Sequence, residues 1–105
     1  GRAMQLLMTG ETIDAAEAYR IGLVNKVAPA GELMSVTREM MKTILGNGPL
    51  AIALCIEAIE RGLEMSLDEG LILEANHFGL LSATDDMREG MRAFLDKRAP
   101  AFKGK

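Results

Sequence analysis

Residues 85–105, DDMREGMRAFLDKRAPAFKGK, differ from the rest of the chain in both charge and composition. From residue 88 onward there are six lysines and arginines against two acidic residues, whereas residues 1–87 carry six against thirteen. Two of the three phenylalanines, Phe94 and Phe102, also lie in this basic segment. A mostly acidic protein therefore has one basic, aromatic region whose role needs a physical explanation.

The segment has the apolar spacing of an amphipathic helix, with one stripe at positions i, i+4, i+7 and i+8. The residues of this stripe are Met87, Met91, Phe94 and Leu95. The helix is expected to begin near Asp85 or Asp86, because carboxylates favour the positive end of the helix dipole. It is expected to run to about Arg98 and to stop before Pro100.

Lys97 follows Phe94 by three residues, so the predicted helix places an ammonium group beside an aromatic ring. That pair suits a flat base that carries a phosphate nearby. The alternative is a core phenylalanine, together with cations that complement the dipole at a helix C-terminus. Spacing alone favours the packing alternative. Nucleic acid is not an expected partner, because a small basic segment on an acidic body is a poor footprint for a polyanion.

The rest of the sequence predicts an all-α chain of about five helices with one short extended segment, residues 23–28. Asp14 with Glu17, and Ser66 with Glu69, have the spacing of capping boxes. Helices are predicted over residues 14–22, 31–45, 49–64, 66–82 and 85–98, with a short helical segment at 2–8. The helix over 49–64 is expected to bury three isoleucines, Ile52, Ile56 and Ile59.

Composition indicates one globular domain or a part of one, since 49% of the 105 residues are hydrophobic and 26% are charged. No apolar run approaches the roughly 20 residues that span a bilayer, and no signal peptide is visible, so no membrane partner is expected. A single cysteine, Cys55, indicates a reducing compartment. We expect a cytoplasmic protein, or one of the mitochondrial matrix if the source is eukaryotic.

The residue types that carry most enzyme chemistry are nearly absent. His77 is the only histidine, and a packing or surface role is favoured for it over catalysis. Cys55 lies among apolar residues, which predicts a buried, inert thiol. The two adjacent carboxylate pairs stand at helix starts, where capping accounts for both of them: Asp68–Glu69 and Asp85–Asp86. No catalytic residue and no metal site is predicted.

Two motifs resemble the enoyl-CoA hydratase/isomerase (crotonase) family. They are GRAMQLLMTGETIDAAEAYRIGLVNKVAP near the start, and DEGLILEANHF with TDDMREGMRAFLDKRAPAFKGK near the end. The resemblance covers the whole chain and implies the C-terminal helical, trimerisation part of a crotonase-like α/β fold, without its upstream spiral core. Residues 1–27 would end the core region, and residues 28–105 would form the helical oligomerisation segment.

The resemblance also implies that the catalytic groups lie outside this chain and that this chain contributes to substrate binding. The family's upstream region supplies the backbone oxyanion hole and the catalytic glutamates, which nothing here matches, so this chain alone should be inactive. The substrate would be a CoA thioester, and the enzyme would have no prosthetic group. The complete protein of which this chain is a part, called the parent here, would be a trimer or a dimer of trimers. Residues matching Phe94 and Lys97 bind the adenine and phosphate end of CoA.

Two alternatives remain open. The chain could be a free-standing helical self-association module without catalysis. The parent could also catalyse another reaction of the family, as an enoyl-CoA isomerase, decarboxylase or hydrolase. A glycine-rich oxyanion segment and paired glutamates encoded upstream would support an enzyme.

Overall fold

The protein, described here over all residues 1–105 by a computed structural model, consists of six α-helices and has no β-strand. The helices are α1 Arg2–Thr9, α2 Ala15–Arg20, α3 Leu33–Leu45, α4 Pro49–Gly62, α5 Leu67–Ser82 and α6 Asp85–Leu95. The all-α prediction is confirmed. The sixth helix is α1, which the sequence predicts as a short helical segment in addition to five helices. Residues 23–28, predicted to be extended, pair with no strand.

The chain divides into two compact units, Gly1–Thr37 and Arg38–Lys105. In the first unit α1 ends at Gly10, which has a φ of 65° and donates its N–H to the Leu6 oxygen at 3.0 Å. The Asp14 carboxylate caps α2 by accepting the Glu17 N–H at 2.7 Å. Only this half of the predicted capping box forms, because the Glu17 carboxylate binds the Arg20 guanidinium instead.

In the second unit α4 packs on α5, and α5 packs on α6. Pro49 occupies the first turn of α4, as predicted, where its missing N–H would have had no partner. The predicted capping box of Ser66 and Glu69 is complete, with both the Ser66 N–H and the Glu69 N–H satisfied. A proline in the first turn and a capping box therefore mark where these two helices begin.

The predicted burial of α4 is wrong for two of its three isoleucines. Ile56 and Ile59 are 51% and 59% exposed, while Ile52 is half-buried. Cys55, predicted to be buried, is also exposed. The reason is that α5 alone packs closely on α4, and a single neighbour leaves most of a largely apolar helix uncovered.

No helix of this chain has by itself the length and apolar composition needed to cross a membrane. Only the bent pair α3 and α4, taken together, would meet that requirement.

Candidate nucleotide-end site at the end of helix α6

Helix α6 begins where the sequence predicts and ends earlier than predicted. Thr84 is its N-cap, and the Thr84 hydroxyl accepts the Met87 N–H at 3.1 Å. The last helical residue is Leu95 rather than Arg98. The early end is caused by Lys97, whose φ of 53° lies in the left-handed region and reverses the chain.

The reversal has the hydrogen bonds of a Schellman motif. The Lys97 N–H donates to the Phe94 oxygen at 3.3 Å, and the Arg98 N–H donates to the Ala93 oxygen at 3.0 Å. Glycine usually occupies the left-handed position, and Lys97 is the only other residue type with a positive φ in this chain. Lys97 therefore stands on a turn after α6 and not on the helix face that its spacing predicts.

The segment after the reversal is bound back onto α6 by Glu89. Its carboxylate accepts two N–H groups of the Arg98 guanidinium, at 2.6 Å and 3.0 Å, and the Ala101 N–H at 2.9 Å. The guanidinium of Arg98, followed by the Ala101 N–H, lowers the pKa of Glu89 to about 2. The same ion pair raises the pKa of Arg98. We call Glu89, Arg98 and the Ala101 N–H the Glu89 clamp.

One turn earlier on α6, Asp86 binds the end of the same segment. Its buried carboxylate accepts the Lys103 N–H and the Gly104 N–H, each at 2.7 Å, and its own N–H donates to the Lys105 oxygen at 3.0 Å. The sequence predicts that capping accounts for Asp86. The structure shows instead that its carboxylate binds the end of the tail. The signal that was missed is the i,i+3 spacing of Asp86 and Glu89, two carboxylates on one helix face followed by a basic tail.

The two phenylalanines of the basic segment have opposite roles. Phe102 packs on Gly90 of α6, where an added Cβ would stand 3.4 Å from the ring, and near Gly48 before α4. Phe94 is 82% exposed. The alternative that Phe94 is a core residue is therefore wrong for this chain, and Phe102 takes the packing role.

The predicted apolar stripe is mostly uncovered. Met91 and Leu95 are exposed and Met87 is half-buried, while Ala93 on another face of α6 is 1% exposed. Lys97 is exposed, and its ammonium lies in no ion pair of the chain. The structure thus leaves a free aromatic ring and a free cation at the two sides of one fixed chain reversal.

The remaining candidate residues are structural. His77 is buried, with Nδ1 3.2 Å from the Leu54 oxygen and Nε2 3.8 Å from a Glu57 carboxylate oxygen. It links α5 to α4, which agrees with the packing role expected for it. His77 and Cys55 both line a cavity of about 790 Å³ between these helices, whose lining is mainly apolar. No group of three His, Cys, Asp or Glu side chains could hold a metal ion.

The enoyl-CoA hydratase/isomerase family matches this chain over residues 1–105, and the chain belongs to that family. A probable enoyl-CoA hydratase of Mycobacterium bovis is 46% identical over 101 residues, which are 96% of this chain and 39% of the relative. The crotonyl-CoA hydratase of Syntrophomonas wolfei is 45% identical over 102 residues, which are 97% of this chain and 39% of the relative.

A solved structure of an enoyl-CoA hydratase from Bacillus anthracis superposes on this chain with a TM-score of 0.96 and 40% identity. The match covers 100% of this chain and 41% of that one. The chain therefore spans about two fifths of the length of the proteins it matches, as an all-helical part of the crotonase fold.

Proposed function

We propose that this chain is the C-terminal segment of an enoyl-CoA hydratase, whose complete form adds water across the double bond of a 2-enoyl-CoA. Family membership and the names of the relatives support this reaction. In the complete enzyme, backbone N–H groups outside this chain would polarise the thioester carbonyl, and glutamates outside it would transfer the protons. Residues 1–27 would close the catalytic core, and residues 28–105 would form the helical segment.

This chain would contribute a binding site for the nucleotide end of CoA, with no prosthetic group. The observation that carries the proposal is the exposed pair at the end of α6, the ring of Phe94 and the unpaired ammonium of Lys97. The ring offers a face on which adenine can stack, and the ammonium offers a counter-charge for a phosphate. A large apolar ring that is 82% exposed, three residues before a cation with no ion-pair partner, is more economically explained by a ligand than by packing within this chain.

The test is steady-state kinetics of two variants in the complete enzyme. Stacking of a base on an aromatic ring contributes about 1–3 kcal/mol, so Phe94→Ala should raise KM for crotonyl-CoA roughly tenfold. An exposed lysine–phosphate contact contributes about 0.2–1 kcal/mol, so Lys97→Ala should raise KM only a few-fold, and less at high salt. Both variants should keep kcat, because the nucleotide end binds equally in the ground and transition states.

Melting temperatures provide the control for this experiment. Because Phe94 is exposed, its truncation should leave the stability of this chain nearly unchanged, and a higher KM would then report binding. Unaltered CoA affinity in both variants, or a loss in Phe94→Ala that follows unfolding alone, would contradict the proposed site.

The isolated 105-residue chain should have no hydratase activity, because no acid/base pair or oxyanion-hole motif is found in its sequence. The measurement is crotonyl-CoA turnover by the purified chain against the buffer rate. Turnover above that rate would overturn the assignment of the chemistry to residues outside this chain. Other reactions of the family, namely isomerisation, decarboxylation and thioester hydrolysis, are compatible with the same nucleotide-end site.

The second candidate function is self-association, and exposed apolar side chains on α3 and α4 favour it. In the parent enzyme these faces would contribute to a homo-oligomer, a trimer or a dimer of trimers. In a free-standing module, self-association through these faces would be the only function. Hydratase activity of the complete protein would exclude the module.

A further inference from the structure

The backbone at Lys97 adopts a conformation that its own residue type disfavours, so the surrounding structure must maintain it. A left-handed φ brings Cβ close to the following carbonyl oxygen, which penalises every residue except glycine. Strained conformations of this kind persist where neighbouring interactions over-determine them. The question is which interactions hold Lys97.

The two Schellman hydrogen bonds fix the reversal from within but do not hold the chain beyond it. The bond from Lys97 to Phe94 is 3.3 Å long and that from Arg98 to Ala93 is 3.0 Å. Beyond the reversal, Arg98 lies 3.5 Å from the Asp96 carboxylate and donates to the Ala99 oxygen at 3.2 Å, but only one carboxylate joins residues 98–101 to α6. Glu89 binds the Arg98 side chain at two points and the Ala101 N–H at a third.

The Glu89 clamp therefore holds both ends of residues 98–101, directly after Lys97. A bidentate guanidinium–carboxylate pair restricts orientation as well as distance. With residue 98 oriented and residue 101 attached to α6, the turn at Lys97 has little freedom to relax to a right-handed or extended backbone. Without the clamp, the same turn can relax and change where the ammonium stands relative to Phe94.

We propose that Glu89 is a positioning residue for CoA binding, which acts by keeping Lys97 in the left-handed turn beside Phe94. This inference rests on the proposed nucleotide-end site. Glu89 itself does not touch the substrate, and it acts through Arg98 and the backbone of residues 97–101.

A double-mutant cycle in the complete enzyme tests the inference, with free coenzyme A as the titrated ligand. Lys97→Ala should weaken CoA binding by up to about fivefold, as expected for an exposed charge contact. Glu89→Gln should weaken binding by no more than that in the wild-type background. In the Lys97→Ala background Glu89→Gln should have no further effect, because the group it positions is gone.

The matched control is Glu57→Gln, which makes the same chemical change on the second glutamate of this unit that binds an arginine, Arg61 at 3.1 Å, and that also lies 3.8 Å from His77. It should leave CoA affinity unchanged. All variants should keep kcat, whereas a general loss of folded protein would lower the active fraction and kcat alike. If Glu89→Gln is unfolded by circular dichroism, Arg98→Lys replaces it, since lysine keeps the charge and loses the bidentate geometry.

The outcomes separate the two proposals. If Lys97→Ala binds CoA as the wild type does, the role proposed for Lys97 fails, and the positioning role falls with it. If Lys97→Ala weakens binding and Glu89→Gln does not, only the positioning role is overturned. It is also overturned if Glu89→Gln weakens binding equally in both backgrounds, because its effect would then not pass through Lys97.

Discussion

Lys97 occupies a backbone conformation that a glycine would adopt at a lower energetic cost. Two other helices are followed by glycines with positive φ, Gly10 after α1 and Gly22 after α2. After α6 the left-handed position is held by a lysine, at a cost of roughly 1–2 kcal/mol relative to an unstrained backbone. A glycine here would be the better cap and would have no ammonium to offer.

Lys97→Gly should therefore stabilise the fold while it weakens CoA binding. The relief of the left-handed strain, less the added backbone entropy of glycine in the unfolded chain, gives an expected gain of roughly 0.5–1 kcal/mol. Urea denaturation of the 105-residue chain measures it. Lys97→Ala is the matched control, because it removes the ammonium but keeps Cβ, and it should change the free energy of unfolding by less than about 0.5 kcal/mol. A less stable Lys97→Gly would mean that the turn is not strained.

Helix α6 has one face that is covered by the rest of the chain and one that is exposed. One face contains Asp86, Glu89, Gly90 and Ala93 and is covered by the tail, residues 98–105. The other contains Met91, Phe94 and Leu95 and is exposed. Within this chain the face with the two carboxylates is therefore covered, while most of the apolar stripe is exposed.

The Glu89 clamp makes the docking of the tail on α6 depend on pH. The Arg98 guanidinium, with the Ala101 N–H, lowers the pKa of Glu89 from 4.5 to about 2 on folding. A depressed pKa stabilises the folded state fully above the unfolded value, and that contribution is lost as pH falls through the folded value. Tail docking should therefore be intact above about pH 4.5 and should be lost progressively towards pH 2.

An NMR titration of the Glu89 side-chain carboxyl carbon and the Ala101 amide measures this directly. Both resonances should titrate with a midpoint near 2, and Glu89→Gln should remove the transition at Ala101. Other carboxylates with lowered pKa values, Glu17, Glu69 and Asp85, should titrate unchanged in the variant. A midpoint near 4.5 for the wild type would show that the clamp does not form in solution.

The helix starts could be predicted from the sequence because they depend on local contacts. The docking of the tail and the burial of Asp86 could not, because they involve residues further apart in the chain. Ser66 and Thr84 cap through hydrogen bonds to residues three positions on, so the signal is local. The docking of the tail depends on Glu89, nine residues before Arg98, and the burial of Asp86 depends on N–H groups 17 and 18 residues away. Phe94 and Lys97 are proposed from their spacing, the local positive charge and the resemblance, whereas that spacing carries no signal of the left-handed turn at Lys97.

At the scale of the whole molecule, little of the apolar surface is covered. Only Ala18 and Ala93 are buried among the hydrophobic residues, and many large apolar side chains on α3, α4 and α5 are exposed. Large exposed apolar surfaces are rare on monomers and mark interaction surfaces. The exposure of Ile56 and Ile59 has the same origin, because the periodicity identified an apolar face correctly but no element of this chain covers it.

The isolated chain should therefore self-associate. The exposed residues that we expect to drive association are Met34, Met40, Met41, Ile56 and Ile59. Sedimentation velocity at high micromolar concentration should show species larger than the 11.3 kDa monomer. Ile56→Glu with Ile59→Glu should shift the distribution towards the monomer without loss of helical circular dichroism. A wild-type chain that sediments only as a monomer would contradict the prediction.

The attachment of the tail also has a kinetic consequence. Its side-chain contacts to α6 join residues that are only 9 to 18 positions apart in sequence. Loops of about ten residues close in roughly 10–100 ns, so a tail that detaches finds α6 again long before the helices of the second unit could separate. The tail can thus open and re-dock as a sub-global event, with its own hydrogen-exchange rate. Exchange at Ala101, Lys103 and Gly104 would then report the lifetime of the docked state, separately from the stability of the helices.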